Sequence, residues 1–167
     1  MNTLPPLYPP FRYGQVEDDL YRGGYPKPRN FRFLTRLRLK SILSLTPEPA
    51  NADLAAFCAE QKITALHVRV DKPKEHIPLT FQKTAQILAI VIDPNNYPLF
   101  VHCLDGAGVT SALIMCLRKL QCWTMSSILY ESSRYNKEGT IGSEEGEFVE
   151  KFSAEVELPI RLPAWLW

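Results

Sequence analysis

The stretch HCLDGAGVT, residues 102–110, decides the fold of this chain. The apolar residues LFV (99–101) before it predict a buried strand, and SALIMCLRKL (111–120) after it predicts a buried helix. Glycines at 106 and 108 allow a tight turn between the two, in which backbone N–H groups at the helix N-terminus converge on one point. Such a nest binds anions and stabilises a thiolate beneath it. The spacing therefore predicts that Cys103 is a nucleophile facing a phosphate.

The rest of the chain predicts strands alternating with helices, followed by helices alone. Strands are expected at 16–24, 41–45, 64–70 and 99–102, and helices at 30–40, 50–62, 80–93, 106–121, 124–135 and 144–157. Asn30 and Thr80 are predicted to cap the helices that follow them. This order indicates an α/β fold with a central, mostly parallel sheet of four to five strands flanked by helices. We expect a proline-rich extended arm at 1–11, one domain at 12–157 and an apolar tail at 158–167.

Composition excludes several classes of function. A formal net charge of +1 over 167 residues gives no field that would favour nucleic acid or an anionic membrane. The longest apolar run, ILAIVI (87–92), is too short to cross a bilayer, and the start MNTLPPLYPP lacks the features of a signal peptide. None of the four cysteines forms a CxxC pair. We therefore expect a cytoplasmic protein with reduced thiols, no metal site and no cofactor.

The motif and its flanks resemble the plant and fungal atypical dual-specificity phosphatases, which include the inositol-pyrophosphate phosphatases and the oxidant-induced cell-cycle-arrest proteins of yeast. Their signature is His-Cys, five residues, then Arg and Ser/Thr, and it is matched here at His102, Cys103, Gly106 and Thr110. The segments DLYRGGYPKPRNFRFLTRLRLKSILSLTPEP, NYPLFVHC and CLRKLQCWTMSSILYE are similar as well. The resemblance implies a dual-specificity phosphatase fold over residues 12–153.

The departures from this family pattern concern the charge of the loop. Val109 stands where the family places the arginine that grips the phosphate with two N–H groups. The other loop positions, where the family often has cations, hold Leu104, Asp105, Ala107 and Gly108. A carboxylate at Asp105 would repel a phosphate dianion unless it points into solvent. The sequence therefore predicts a phosphate-binding loop of residues 102–110 whose catalysis is impaired or lost.

The loop at 71–78 offers replacements for the missing groups. Lys72 and Lys74 are candidate substitute cations, followed by Arg134 and Lys137 after a later helix; each is also an ordinary solvated surface charge. Asp71 and His76 are the candidates for the general acid. Thr110 could donate a hydrogen bond to the cysteine sulfur or cap its helix. The predicted catalytic set is thus Cys103, Asp71 and Thr110.

Three functions stay open from the sequence. The favoured one is an impaired or inactive phosphatase relative that binds a phosphorylated small molecule, a phosphopeptide or a protein partner, including related phosphatase-like proteins. The second is an active cysteine phosphatase that hydrolyses phosphotyrosine or an inositol pyrophosphate. The third is a thiol redox sensor at Cys103. The large apolar groups of the tail are expected either to meet a partner or, as we favour, to fold over their own core: Leu162, Trp165, Leu166 and Trp167.

Overall fold

The computed structural model describes residues 3–136 and 138–167. Its five strands are β1 (Gly14–Glu17), β2 (Leu20–Gly23), β3 (Ser41–Thr46), β4 (Thr64–Arg69) and β5 (Leu99–His102). Its six helices are α1 (Pro28–Arg36), α2 (Ala52–Gln61), α3 (Phe81–Val91), α4 (Gly108–Leu120), α5 (Met125–Ser133) and α6 (Ser143–Lys151).

One sheet, in the order β1-β2-β5-β3-β4, organises these elements. Strand β1 is antiparallel to β2, and the other neighbours are parallel. One face is covered by α1 and α2, with Leu34, Leu54 and Phe57 packed around Phe100. The other face carries the larger core under α3 to α6. The predicted α/β fold with a mostly parallel sheet and helices on both faces is confirmed.

Two local predictions near the N-terminus were wrong. Residues 16–24 form a hairpin of two strands, because Asp19 adopts a positive φ of 62° and reverses the chain. Helix α1 begins two residues before Asn30, since Pro28 is its first residue and Lys27 is its N-cap. The buried Asn30 side chain instead accepts a hydrogen bond from the Lys27 N–H at 2.9 Å.

Thr80 does cap α3, and its hydroxyl accepts from the Lys83 N–H at 3.0 Å.

The last helix is shorter than the sequence predicts. Helix α6 ends at Lys151, and residues 152–157 are not helical. The Lys119 ammonium donates to the carbonyls of Val149, Glu150 and Phe152, so the end of α6 is satisfied by a side chain of α4. Beyond it the tail returns to the body, where Leu166 is buried.

Among the described residues, no helix combines the length and the apolarity that a membrane span requires.

Candidate active site

The Cys103 loop lies at the carboxyl end of the central strand. β5 runs parallel to β2 and β3, with His102 level with Gly23 and Ser44, so the next residue leaves the sheet at its middle. Ligands of open α/β sheets bind at this edge. Cys103 is 3% exposed and lies at the floor of a cavity of about 180 Å³.

The loop closes around the cysteine sulfur as the sequence predicts. The Gly106 N–H donates to Sγ of Cys103 at 3.3 Å. Gly106 has a φ of +76°, and a Cβ there would lie 2.6 Å from the backbone nitrogen of Gly24. Only glycine allows this turn and this close approach of the 22–25 segment.

His102 supports the loop as a neutral group. Its Nε2 lies 2.7 Å from Oγ of Ser44, and its Nδ1 lies 3.0 Å from the backbone oxygen of Cys103. Complete burial lowers the pKa of His102 to about 4. The imidazole therefore carries no charge at neutral pH, and it connects β3 to the backbone of Cys103 without adding a cation to the site.

The Asp105 carboxylate folds back over the loop to which it belongs. Its Oδ1 accepts a hydrogen bond from the Ala107 N–H at 2.9 Å and lies 3.5 Å from Sγ of Cys103, which donates to it. An N–H at the start of α4 that could bind a phosphate oxygen is therefore already paired with an anion of the chain itself.

Val109 forms part of the apolar wall of the cavity. It is 3% exposed and belongs to the core, and with Leu45 and Val70 it lines the space above Cys103. The side chain that replaces the family arginine thus contributes only hydrocarbon to this cavity.

The substitute cations lie at different distances from the loop. Lys72 lines the same cavity as Cys103, whereas Lys74 lines an adjacent groove. Arg134 stacks on Tyr130, with 5.2 Å between the guanidinium carbon and the ring centroid. Lys137 lies outside the described residues.

The acid candidates and Thr110 also differ in placement. Asp71 lines the cavity and pairs with Nε of Arg69 at 3.5 Å. His76 lies instead 3.4 Å from a carboxylate oxygen of Glu144. Thr110 is buried, its hydroxyl has no hydrogen-bond partner among the described residues, and the N-cap of α4 is Ala107. Of the two roles that the sequence left open for Thr110, neither the bond to the cysteine sulfur nor the helix cap is formed. Of these three, only Asp71 faces the cavity.

Arg22 is a cation of the site that the sequence reasoning missed. It is 1% exposed, and its Nη2 donates to the Gly106 carbonyl at 3.0 Å and to Oγ of Ser111 at 2.8 Å. Its guanidinium carbon lies 3.7 Å from the ring centroid of Tyr135. Burial lowers its pKa to about 10, so it stays charged at neutral pH. Side chains alternate between the two faces of a strand, so Arg22 lies on the same face of β2 as the buried Leu20. This two-residue spacing is the sequence signal that indicates a buried arginine here.

Arg12 is a second missed cation, and it binds the outside of the loop. Its Nη1 donates to the backbone oxygen of Asp105 at 2.8 Å. Neither this arginine nor Arg22 lines the cavity above Cys103. Within the described chain, no three His, Cys, Asp or Glu side chains come together as ligands for a metal.

Comparison with known proteins gives the family to which this fold and this loop belong. The sequence profile of the tyrosine phosphatase family matches residues 7–167. The chain belongs to this family. The resemblance drawn from the 102–110 loop and its flanks is thereby confirmed.

Individual proteins are similar to this chain over most of its length. The Saccharomyces cerevisiae protein OCA6, named provisionally as a tyrosine-protein phosphatase, is 34% identical and covers 91% of this chain and 74% of its own length. Inositol diphosphatase DSP3 of Arabidopsis thaliana is 36% identical over 75% of this chain and 62% of its own length. The crystal structure of the core catalytic domain of the PP-IP phosphatase SIW14 from S. cerevisiae, in complex with citrate, superimposes with a TM-score of 0.82 at 31% identity and 89% coverage of both chains.

Proposed function

We propose that this chain is a catalytically silent member of the tyrosine phosphatase family that acts by binding a protein partner. The observation that carries the proposal is a pair of residues in the lining of the cavity, where Val109 supplies no charge and Asp105 supplies a negative one. The frame of a phosphatase loop is present, and the groups that would bind and stabilise a transferring phosphoryl group are replaced.

The loss of binding energy at Val109 supports this proposal first. A bidentate arginine is among the strongest contacts that a phosphate can receive. One preorganised donor to a developing oxyanion contributes about 3 kcal/mol to the transition state. Val109 lines the cavity together with Leu45 and Val70, and its side chain can donate no hydrogen bond to a phosphate.

The position of Asp105 supports it independently. Two like charges about 4 Å apart repel by about 4 kcal/mol at an effective dielectric constant of about 20. Asp105 is exposed, so solvent reduces this repulsion, but an entering phosphate must still displace the carboxylate from the Ala107 N–H. Lys72 is a compensating cation at the cavity, and it pairs less specifically with phosphate than a forked guanidinium does.

The exposed apolar groups support a protein partner. Leu104, at the mouth of the cavity, is 42% exposed, and Trp167 in the tail is 68% exposed. Leu166 and Trp165 pack on the body, so the tail offers only its outer residues to a partner. A scaffolding role uses these surfaces without requiring turnover at Cys103.

The test compares the purified chain with its Cys103→Ser variant, using p-nitrophenyl phosphate and an inositol pyrophosphate as substrates. The second substrate is chosen because relatives of this chain bear the name of inositol diphosphatases. We expect the two proteins to release phosphate at the same background rate. Turnover that is present in the parent chain and absent in Cys103→Ser would overturn the proposal and assign the compensating role to Lys72 or another cation.

A further inference from the structure

The N-terminal arm carries a second feature, which lies outside the Cys103 loop. Residues Pro5-Pro6-Leu7-Tyr8 form the pattern P-P-x-Y. The arm is extended here, without helix or strand pairing, and all four side chains are exposed. Tyr8 leaves 52% of its surface to solvent, so its ring is accessible to a partner.

The arm is held through its backbone, so its side chains stay available. Arg32 donates from Nη1 to the Pro5 carbonyl at 2.7 Å. The buried amide of Asn30 donates to the carbonyls of Tyr8 and Pro9, both at 3.1 Å. These three bonds fix the ends of the motif on helix α1. An arm that is ordered before binding loses less conformational entropy when a partner takes it up.

The residue spacing fits recognition as a polyproline II segment. That helix has three residues per turn, so Pro5 and Tyr8 lie on one edge, as do Pro6 and Pro9. WW domains bind such segments in a groove lined by aromatic rings, and the P-P-x-Y class places the tyrosine ring in an adjoining pocket. Leu7, the variable position, is 39% exposed.

We propose that Pro5–Tyr8 is a docking motif for a WW-type domain of a partner protein. This inference goes beyond the proposed loss of catalysis, because it uses no residue of the Cys103 loop. It also predicts a switch: phosphorylation of Tyr8 adds a charge close to −2 to a ring that must enter an apolar pocket, so the modified arm cannot dock.

The experiment is calorimetric titration of the full chain with a panel of isolated WW domains that bind P-P-x-Y peptides, each checked first with such a peptide. We expect at least one domain to bind, with affinity lowered about tenfold or more by Tyr8→Ala and by Pro6→Ala. Tyr130→Ala is the matched control, since Tyr130 is an exposed tyrosine (68%) on another surface. It should leave the affinity unchanged.

Two results would overturn the inference. One is the failure of every domain of the panel to bind the chain. The other is binding that survives Tyr8→Ala and is lost in Pro9→Ala, which would indicate an SH3-type reader of the Pro6–Pro9 spacing instead. Cys103→Ser is expected to bind as the parent chain does, so the outcome is separate from that of the phosphatase assay.

Discussion

Replacing Val109 with arginine and Asp105 with alanine is expected to create phosphatase activity that depends on Cys103. Val109 faces the cavity above the cysteine, so an arginine there can reach a phosphate and contribute about 3 kcal/mol to the transition state. Removing the Asp105 carboxylate frees the Ala107 N–H and relieves a repulsion of about 4 kcal/mol before screening. Allowing for the exposure of Asp105, the sum corresponds to a gain in kcat/KM of about 100-fold to 1,000-fold or more.

The assay is p-nitrophenyl phosphate hydrolysis by the double variant, by each single variant and by the double variant with Cys103→Ser. Asp105→Asn is the matched control for charge, because the amide oxygen can still accept from Ala107 while the negative charge is gone. The reasoning predicts the order double variant, Val109→Arg, Asp105→Ala, parent chain. A folded double variant that binds phosphate and gains no turnover would refute it, and would place the defect at the general acid, where Asp71 pairs with Arg69.

Three further predictions concern the frame of the loop. Gly106→Ala should destabilise the protein by about 2 kcal/mol or more relative to Gly139→Ala, because both glycines have a positive φ but only at Gly106 would an added Cβ lie within 3 Å of other backbone atoms. Equal denaturant midpoints for the two variants would contradict this. The pKa of His102 is about 4 in the folded protein and 6.5 as its ordinary value, so the unfolded chain binds the proton at a higher pH than the folded chain does. The free energy of unfolding should therefore decrease, by up to about 3 kcal/mol, as the pH falls from about 6.5 to 4. His102→Gln should remove this part of the pH dependence of stability. Iodoacetamide should modify exposed Cys122 well before buried Cys103 in mass spectrometry, and the reverse order would favour the redox-sensor alternative.

Much of the fold could be predicted because its signals are local. LFVH matches β5 residue for residue, since a short apolar run before a glycine-rich turn leaves few alternatives to a buried strand. Thr80 was found as a helix cap because its hydroxyl acts on an N–H only three residues away. The loop's glycines and its cysteine likewise lie within one turn of each other, so their spacing in sequence is nearly their spacing in space.

The missed features depend on residues far apart in the chain. Arg22 contacts the loop across 84 positions, so the sequence around it shows only a cation in a strand. The end of α6 is set by Lys119, about 30 residues earlier. Whether Asp105 points into solvent or back to Ala107 depends on side-chain rotation, which a sequence does not record. The departures at 105 and 109 were visible in the sequence, but their geometry was not.

The structure also shows how the loop is held with valine at position 109. None of the bonds that hold the loop uses the side chain of residue 109: the Gly106 N–H donates to the cysteine sulfur, Arg22 donates to the Gly106 carbonyl, and Nδ1 of His102 lies 3.0 Å from the Cys103 carbonyl. Val109 adds apolar packing at the same place. The shape of the loop therefore rests on side chains other than that of residue 109, so Val109→Arg is expected to change phosphate binding without loosening the loop.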